Sequence, residues 1–147
     1  MVRRILIATD GSRLSRRAIT EGVALAKATG ATVVGFHAYV PNPIIFYGDP
    51  TPLPASTIEA FERDAENLAF KNLKQVEVAA AKAGVPFKGA CVRSNSPADA
   101  LIRTAKKEKC DLIVMASHGR SGMKRVLLGS ETNTVLTHSR IPVLVTR

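Results

Sequence analysis

Tryptophan is absent from this chain, and aromatic residues make up only 5% of it. Few flat side chains are therefore available on which unpaired bases could stack. Acidic residues are in the minority, 12 Asp and Glu against 21 Lys and Arg for a net charge of +9, which raises nucleic acid as a partner. The basic residues are dispersed, however, from Arg3, Arg4, Arg13, Arg16 and Arg17 to Lys124 and Arg125. A solvated basic surface is the expectation, and specific nucleic-acid binding is not. Cysteine is scarce too: Cys91 and Cys110 have neither metal-ligand nor redox spacing and border apolar stretches, the setting of inert thiols. No apolar run approaches the roughly 20 residues that cross a bilayer. No small-residue cleavage site follows Met1-Val2-Arg3-Arg4, so the cytoplasm is the expected location.

Missing motifs exclude several phosphate chemistries. Without GxxxxGK[ST] the chain is not a Walker-type NTPase, and without GxGxxG after its first strand it lacks the dinucleotide fingerprint. A phosphoacceptor receiver domain would need further carboxylates after the first strand and an Asp closing the third. Here Asp10 stands alone and the third strand ends in Arg93-Ser94-Asn95. No Ser/His/acid set or carboxylate pair at the strand ends points to hydrolysis. His37, inside an apolar strand, has the setting of a core histidine.

What is present is alternation. Arg4 to Thr9 is a continuous apolar run, the pattern of a strand buried on both faces of a parallel sheet. Asp10-Gly11-Ser12 turns the chain, and Ser12, with Ser15 the alternative, is expected to cap a helix from Arg13 to about Thr29 that Gly30 stops. Thr32–Val40 is a second strand. Pro41 to Pro54 carries five of the eight prolines, a density that no regular element tolerates. Its Ile44, Ile45, Phe46 and Tyr47 are expected to pack on the chain itself, with a partner surface or a lid as the alternative. Ser56 is expected to cap a long helix ending near Gly84, with Ile58, Phe61, Ala65, Leu68, Val76 and Ala79 facing inward. Val85–Arg93 is a weaker third strand. Ser96-Pro97 opens a helix that buries Ala98, Leu101, Ile102 and Ala105. Leu112–Ala116 is a fourth strand, Ser130 to about Ser139 a last helix, and Ile141–Thr146 a fifth strand.

The order βαβαβαβαβ in 147 residues predicts one domain, residues 1–147, of the α/β class. It has a five-stranded parallel sheet with helices on both faces, flavodoxin-like and doubly wound, in the order 3-2-1-4-5. Ligands of such sheets bind beyond the carboxyl ends of the strands, where the strand order reverses. The chain is organised around Asp111–Thr132. There a strand runs into Ser117-His118-Gly119-Arg120-Ser121-Gly122, and Leu127-Leu128-Gly129-Ser130 leads into a helix. Glycines let a backbone approach a ligand closely, and a serine at a helix start adds a hydroxyl where unpaired N–H groups collect. That combination suits phosphate.

The spacing Ala116-x2-Gly119-x9-Gly129-Ser130, with ILIATDGS at the start and GSETNTVLTHSRIPVLVTR at the end, resembles the universal stress protein family in its single-domain form. The family's nucleotide-binding members carry G-x2-G-x9-G-[ST]. The resemblance implies ATP, with Mg²⁺ or Mn²⁺, held between the loops after the first and fourth strands. Ala8, Thr9, Asp10 and Ala38 match the nucleoside side. Met115, Ala116, His118 and Gly119 match the loop around ribose and phosphate, Gly129, Ser130, Glu131 and Thr132 the phosphate-facing helix start, and Arg120 is a counter-charge. It also implies a homodimer through the C-terminal strand and a nucleotide-linked role in stress response or signalling. Two positions depart from the pattern. Ala116 replaces the first glycine, which the backbone accepts only at negative φ, and Glu131 sets a carboxylate beside the phosphates. An interaction protein with a vestigial site is the competing class. A slow ATPase using Asp10 or His118 as base is a third.

Overall fold

The computed structural model describes residues 1–41, 51–119 and 128–147. Five strands, β1 (Arg4–Ala8), β2 (Thr32–Tyr39), β3 (Phe87–Arg93), β4 (Leu112–Ala116) and β5 (Val143–Thr146), alternate with four helices. The helices are α1 (Arg13–Thr29), α2 (Ala55–Ala83), α3 (Pro97–Lys107) and α4 (Ser130–His138). The sheet has the order β3-β2-β1-β4-β5, and every pairing is parallel. The order reverses between β1 and β4, where Ile5, Leu6 and Ile7 pair with Leu112, Ile113 and Val114.

Each strand side chain alternates between two cores. Ile5, Ile7, Val33 and Val114 pack with Ile19, Val23 and Ala26 of α1 and Val76 and Ala80 of α2. Leu6, Val34, Phe36, Ile113 and Met115 pack with Leu101 and Ile102 of α3 and Val135 of α4. The unbroken apolar run of β1 follows directly, because neither face of that strand meets water. Ser12 caps α1 by accepting the N–H of Ser15 at 3.1 Å. Gly30 ends it in the left-handed region at φ 69°. At the opposite end of the sheet, Asp111 accepts the backbone N–H groups of Arg3 at 2.7 Å and Arg4 at 2.9 Å. These two bonds hold its carboxyl below the usual range. Cys110 is buried and its thiol is pushed up to about 11, first by desolvation and then by Glu108. Burial also raises half-buried Cys91, so neither is a ready thiolate.

Two expectations about α2 need correction. The helix begins at Ala55 with Pro54 in the capping position, so Ser56 lies in its first turn and caps nothing. The stripe expected to face inward is buried only at Val76, while Phe61 and Leu68 are exposed. For Leu68 the reason is the face, since the buried stripe runs through Ala69, Asn72, Leu73, Val76 and Ala80; for Phe61 it is length. A helix of 29 residues extends about 44 Å, whereas a strand of 8 residues, such as β2, extends about 26 Å. Glu66 reaches Tyr39 and Glu62 reaches Arg93 at the strand ends, so the turns before them have no sheet beneath. Fully buried positions accordingly begin at Ala69.

Of the expected proline-rich loop, residues 42–50 lie outside the described residues, as does Arg120.

Candidate functional site

A cleft opens over the point where the strand order reverses, at the carboxyl ends of β1, β2 and β4. Its volume is about 180 Å³, room for an organic ring system rather than one ion, since a water molecule takes about 30 Å³. From the β1 end it is lined by Ala8, Thr9 and Asp10, and from β2 by Ala38. Met115 and Ala116 of β4, with His118 and Gly119 of the following loop, form a second wall. Gly129, Ser130, Glu131 and Thr132 at the start of α4 form a third. Every described residue singled out in the sequence therefore lines one cleft, although the four stretches are far apart in the chain.

The β1 loop is tightly built. Asp10 accepts the Ser12 N–H on Oδ1 at 2.9 Å, an Asx-type turn that fixes its carboxylate at the strand end. Thr9 lies within hydrogen-bond reach of Ser15, with 3.2 Å between hydroxyl oxygens, and accepts the Gly11 N–H at 3.2 Å. Gly11 sits at φ 77°, and a Cβ there would lie 2.4 Å from the Asn72 side chain of α2. Only glycine meets both conditions.

Gly119 and Gly129 serve another purpose. Neither is among the described glycines with positive φ, so left-handed geometry requires neither. A Cβ on Gly119 would stand 2.8 Å from Asp10 Oδ2, which brings the β1 and β4 loops into contact across the cleft. Gly129 donates its N–H to Ser117 O at 2.8 Å, and a Cβ there would make ordinary contact with the backbone of Ser117 and His118 at 3.4 Å. Ala116 lies within β4 and pairs with Thr146, and Lys109 alone among the described non-glycine residues has positive φ. The substitution of the family's first glycine is thus free of backbone strain.

The start of α4 is locked to β4 and to α3. Buried Thr132 donates its hydroxyl to Ala116 O at 3.0 Å. Glu131 Oε2 accepts the N–H of Ala98 in the first turn of α3 at 2.7 Å. Ser96, the residue expected to cap α3, instead gives its hydroxyl to Asp99 at 2.7 Å and makes no capping bond. Glu131 thus supplies from another helix the acceptor that α3 lacks at home. His118 Nδ1 lies 3.0 Å from the Ser117 hydroxyl.

Sequence reasoning passed over Phe36, Pro97, Ala98, Leu101 and Val135, which complete the apolar wall. Phe36 was within reach of it, two residues from Ala38 on the same face of β2. The residues of α3 and Val135 carried only a core signal. No group of three or more His, Cys, Asp and Glu among the described residues is placed to hold a metal ion.

A doubly wound parallel sheet with a cleft at its switch point, where a strand-end Asp faces a small-residue loop and a helix N-terminus, defines the class of the fold as α/β. The chain belongs to the universal stress protein family, whose model matches residues 1–147. A universal stress protein of Thermus aquaticus, encoded 3′ of a QAH/OAS sulfhydrylase, is 34% identical over the whole of both chains. The structure is similar to that of MJ0577 of Methanocaldococcus jannaschii, with a TM-score of 0.79 and 27% identity over 99% of this chain and 96% of that one. It is similar also to a universal stress protein solved in complex with cAMP, with a TM-score of 0.72 and 25% identity over 99% and 97% of the two chains.

Proposed function

We propose that the cleft binds an adenine nucleotide, with ATP and a divalent cation, Mg²⁺ or Mn²⁺, as its ligand, and that the protein is a nucleotide-linked stress-response or signalling module. The observation that carries this reading is the closure of one cleft by Asp10, the Gly119 loop and the start of α4. Phe36, Ala38, Leu101 and Val135 offer apolar surface for a base. Asp10 is an acceptor suited to a ribose hydroxyl. Gly129 and Ser130 open α4, whose first-turn N–H groups favour anionic oxygens. A divalent cation would be held mainly by the phosphates and by water, since Mg²⁺ usually keeps several waters and binds substrate phosphate oxygens. The complex of a relative with cAMP supports the ligand class. Binding, rather than turnover, is the role proposed, because Asp10 is engaged in its own turn and His118 with Ser117. The test is to denature the purified protein and examine the supernatant by mass spectrometry after loading with a mixture of nucleoside triphosphates and washing. Retention of an adenine nucleotide at near one per chain is expected. Retention of none would favour the interaction-protein class.

A further inference from the structure

Of the starts of α3 and α4, which both line the cleft, one already has its anion. The Ala98 N–H of α3 is taken by Glu131 Oε2 at 2.7 Å. This bond does two things at once. It satisfies a donor at a helix end that has no capping side chain of its own, and it fixes the Glu131 carboxylate at the rim of the cleft. An unattached surface glutamate would swing into solvent when an anion approached. Glu131 is held by a charge-assisted bond and by the positive end of α3, and Thr132 beside it is anchored to Ala116 O at 3.0 Å, so the helix start cannot yield easily. The charges of the described lining residues are also one-sided. Asp10 and Glu131 are acids, His118 is the remaining ionisable group, and no Lys or Arg is among them. The chain as a whole carries +9, so the described lining of the cleft differs in sign from the molecule.

Resting on the nucleotide reading above, we infer that Glu131 is a specificity-determining residue, a pinned carboxylate that makes tight binding of a triphosphate conditional on a divalent cation. Free ATP brings about four negative charges to the end of α4, and its cation complex brings about half as many. The pinned carboxylate opposes the first more than the second, and Gln at 131 keeps an acceptor for Ala98 N–H while removing the charge.

The experiment titrates wild type, Glu131→Gln and Glu131→Ala with ATP in EDTA, with ATP in excess Mg²⁺, and with adenosine, at low ionic strength. The gain in ATP affinity on adding Mg²⁺ should be about five-fold smaller in Glu131→Gln than in wild type. Glu131→Ala should show a reduction of the same size. An equal gain in wild type and Glu131→Gln overturns the inference, as does a reduction confined to Glu131→Ala, which would trace it to the vacated Ala98 N–H. Weaker Mg²⁺–ATP binding in Glu131→Gln with metal-free ATP unchanged would make Glu131 a metal ligand, and also overturns it. Adenosine separates the two levels. If wild type binds adenosine and ATP and the variants do not differ, the inference alone fails; if wild type binds neither, the nucleotide reading fails with it.

Discussion

At the scale of the residue, the cleft is made by contacts that leave no room for a methyl group. Gly11 combines φ 77° with an Asn72 side chain 2.4 Å from where a Cβ would stand, and Asn72 is 3% exposed. Gly11→Ala should therefore cost at least about 2 kcal/mol of stability, the sum of left-handed strain and overpacking. Urea unfolding of the variant checks this, and a loss below about 0.5 kcal/mol would show that Asn72 repacks. Single residues were also where the sequence was most and least legible. Asp10, Gly119 and Gly129 stood out because their types and spacing suit a phosphate loop, and the cleft brings them together. The bond from Ala98 to Glu131 left no trace, because its donor is a backbone N–H and its partners lie 33 residues apart. Ser96 was legible only in part, since it holds the capping position before Pro97 as expected but its hydroxyl bonds Asp99 instead of the helix.

At the scale of the element, β1 and β4 were plain in the sequence because a strand buried on both faces needs an unbroken apolar run. The failure lay in α2. Periodicity identifies the face of a helix that is apolar, and it does not say whether a sheet lies under every turn. Phe61 remains exposed because the strands stop level with Glu62 and Glu66, and Leu68 because the buried stripe runs through Ala69, Leu73 and Val76 instead. The edge strand β5 raises a different question. It pairs with β4 alone, and its Leu144 is 39% exposed. An apolar edge of this kind is a template for a second chain, and we propose that it forms the homodimer that the sequence led us to expect. Leu144→Lys keeps the backbone N–H in the ladder to β4 and puts a charge on the edge. Sedimentation at micromolar concentration should give a dimer for wild type and a monomer for this variant. A wild-type monomer would refute the interface, and a dimeric variant would move it elsewhere.

At the scale of the whole molecule, topology does most of the work. The reversal between β1 and β4 brings two loops about a hundred residues apart in sequence to face each other, and short right-handed crossovers give a βαβ chain little choice in the matter. The family and the sheet order were therefore readable from alternation and motif together, whereas the helices that close the cleft from the side were not. Among the described residues no helix is long and apolar enough to cross a membrane. The central claim is that the cleft over the sheet holds ATP between Asp10 and the Gly119 loop. Isothermal calorimetry with Mg²⁺–ATP addresses it directly, using wild type, Asp10→Ala and Gly119→Val. Wild type should bind at one site per chain. Asp10→Ala should weaken binding at least about ten-fold, the loss of a buried polar contact of roughly 1.4 kcal/mol or more. Gly119→Val should abolish it, because its Cβ would stand where it meets Asp10 Oδ2. Binding by wild type that survives both substitutions would place the nucleotide elsewhere, and no binding by folded wild type would contradict the account.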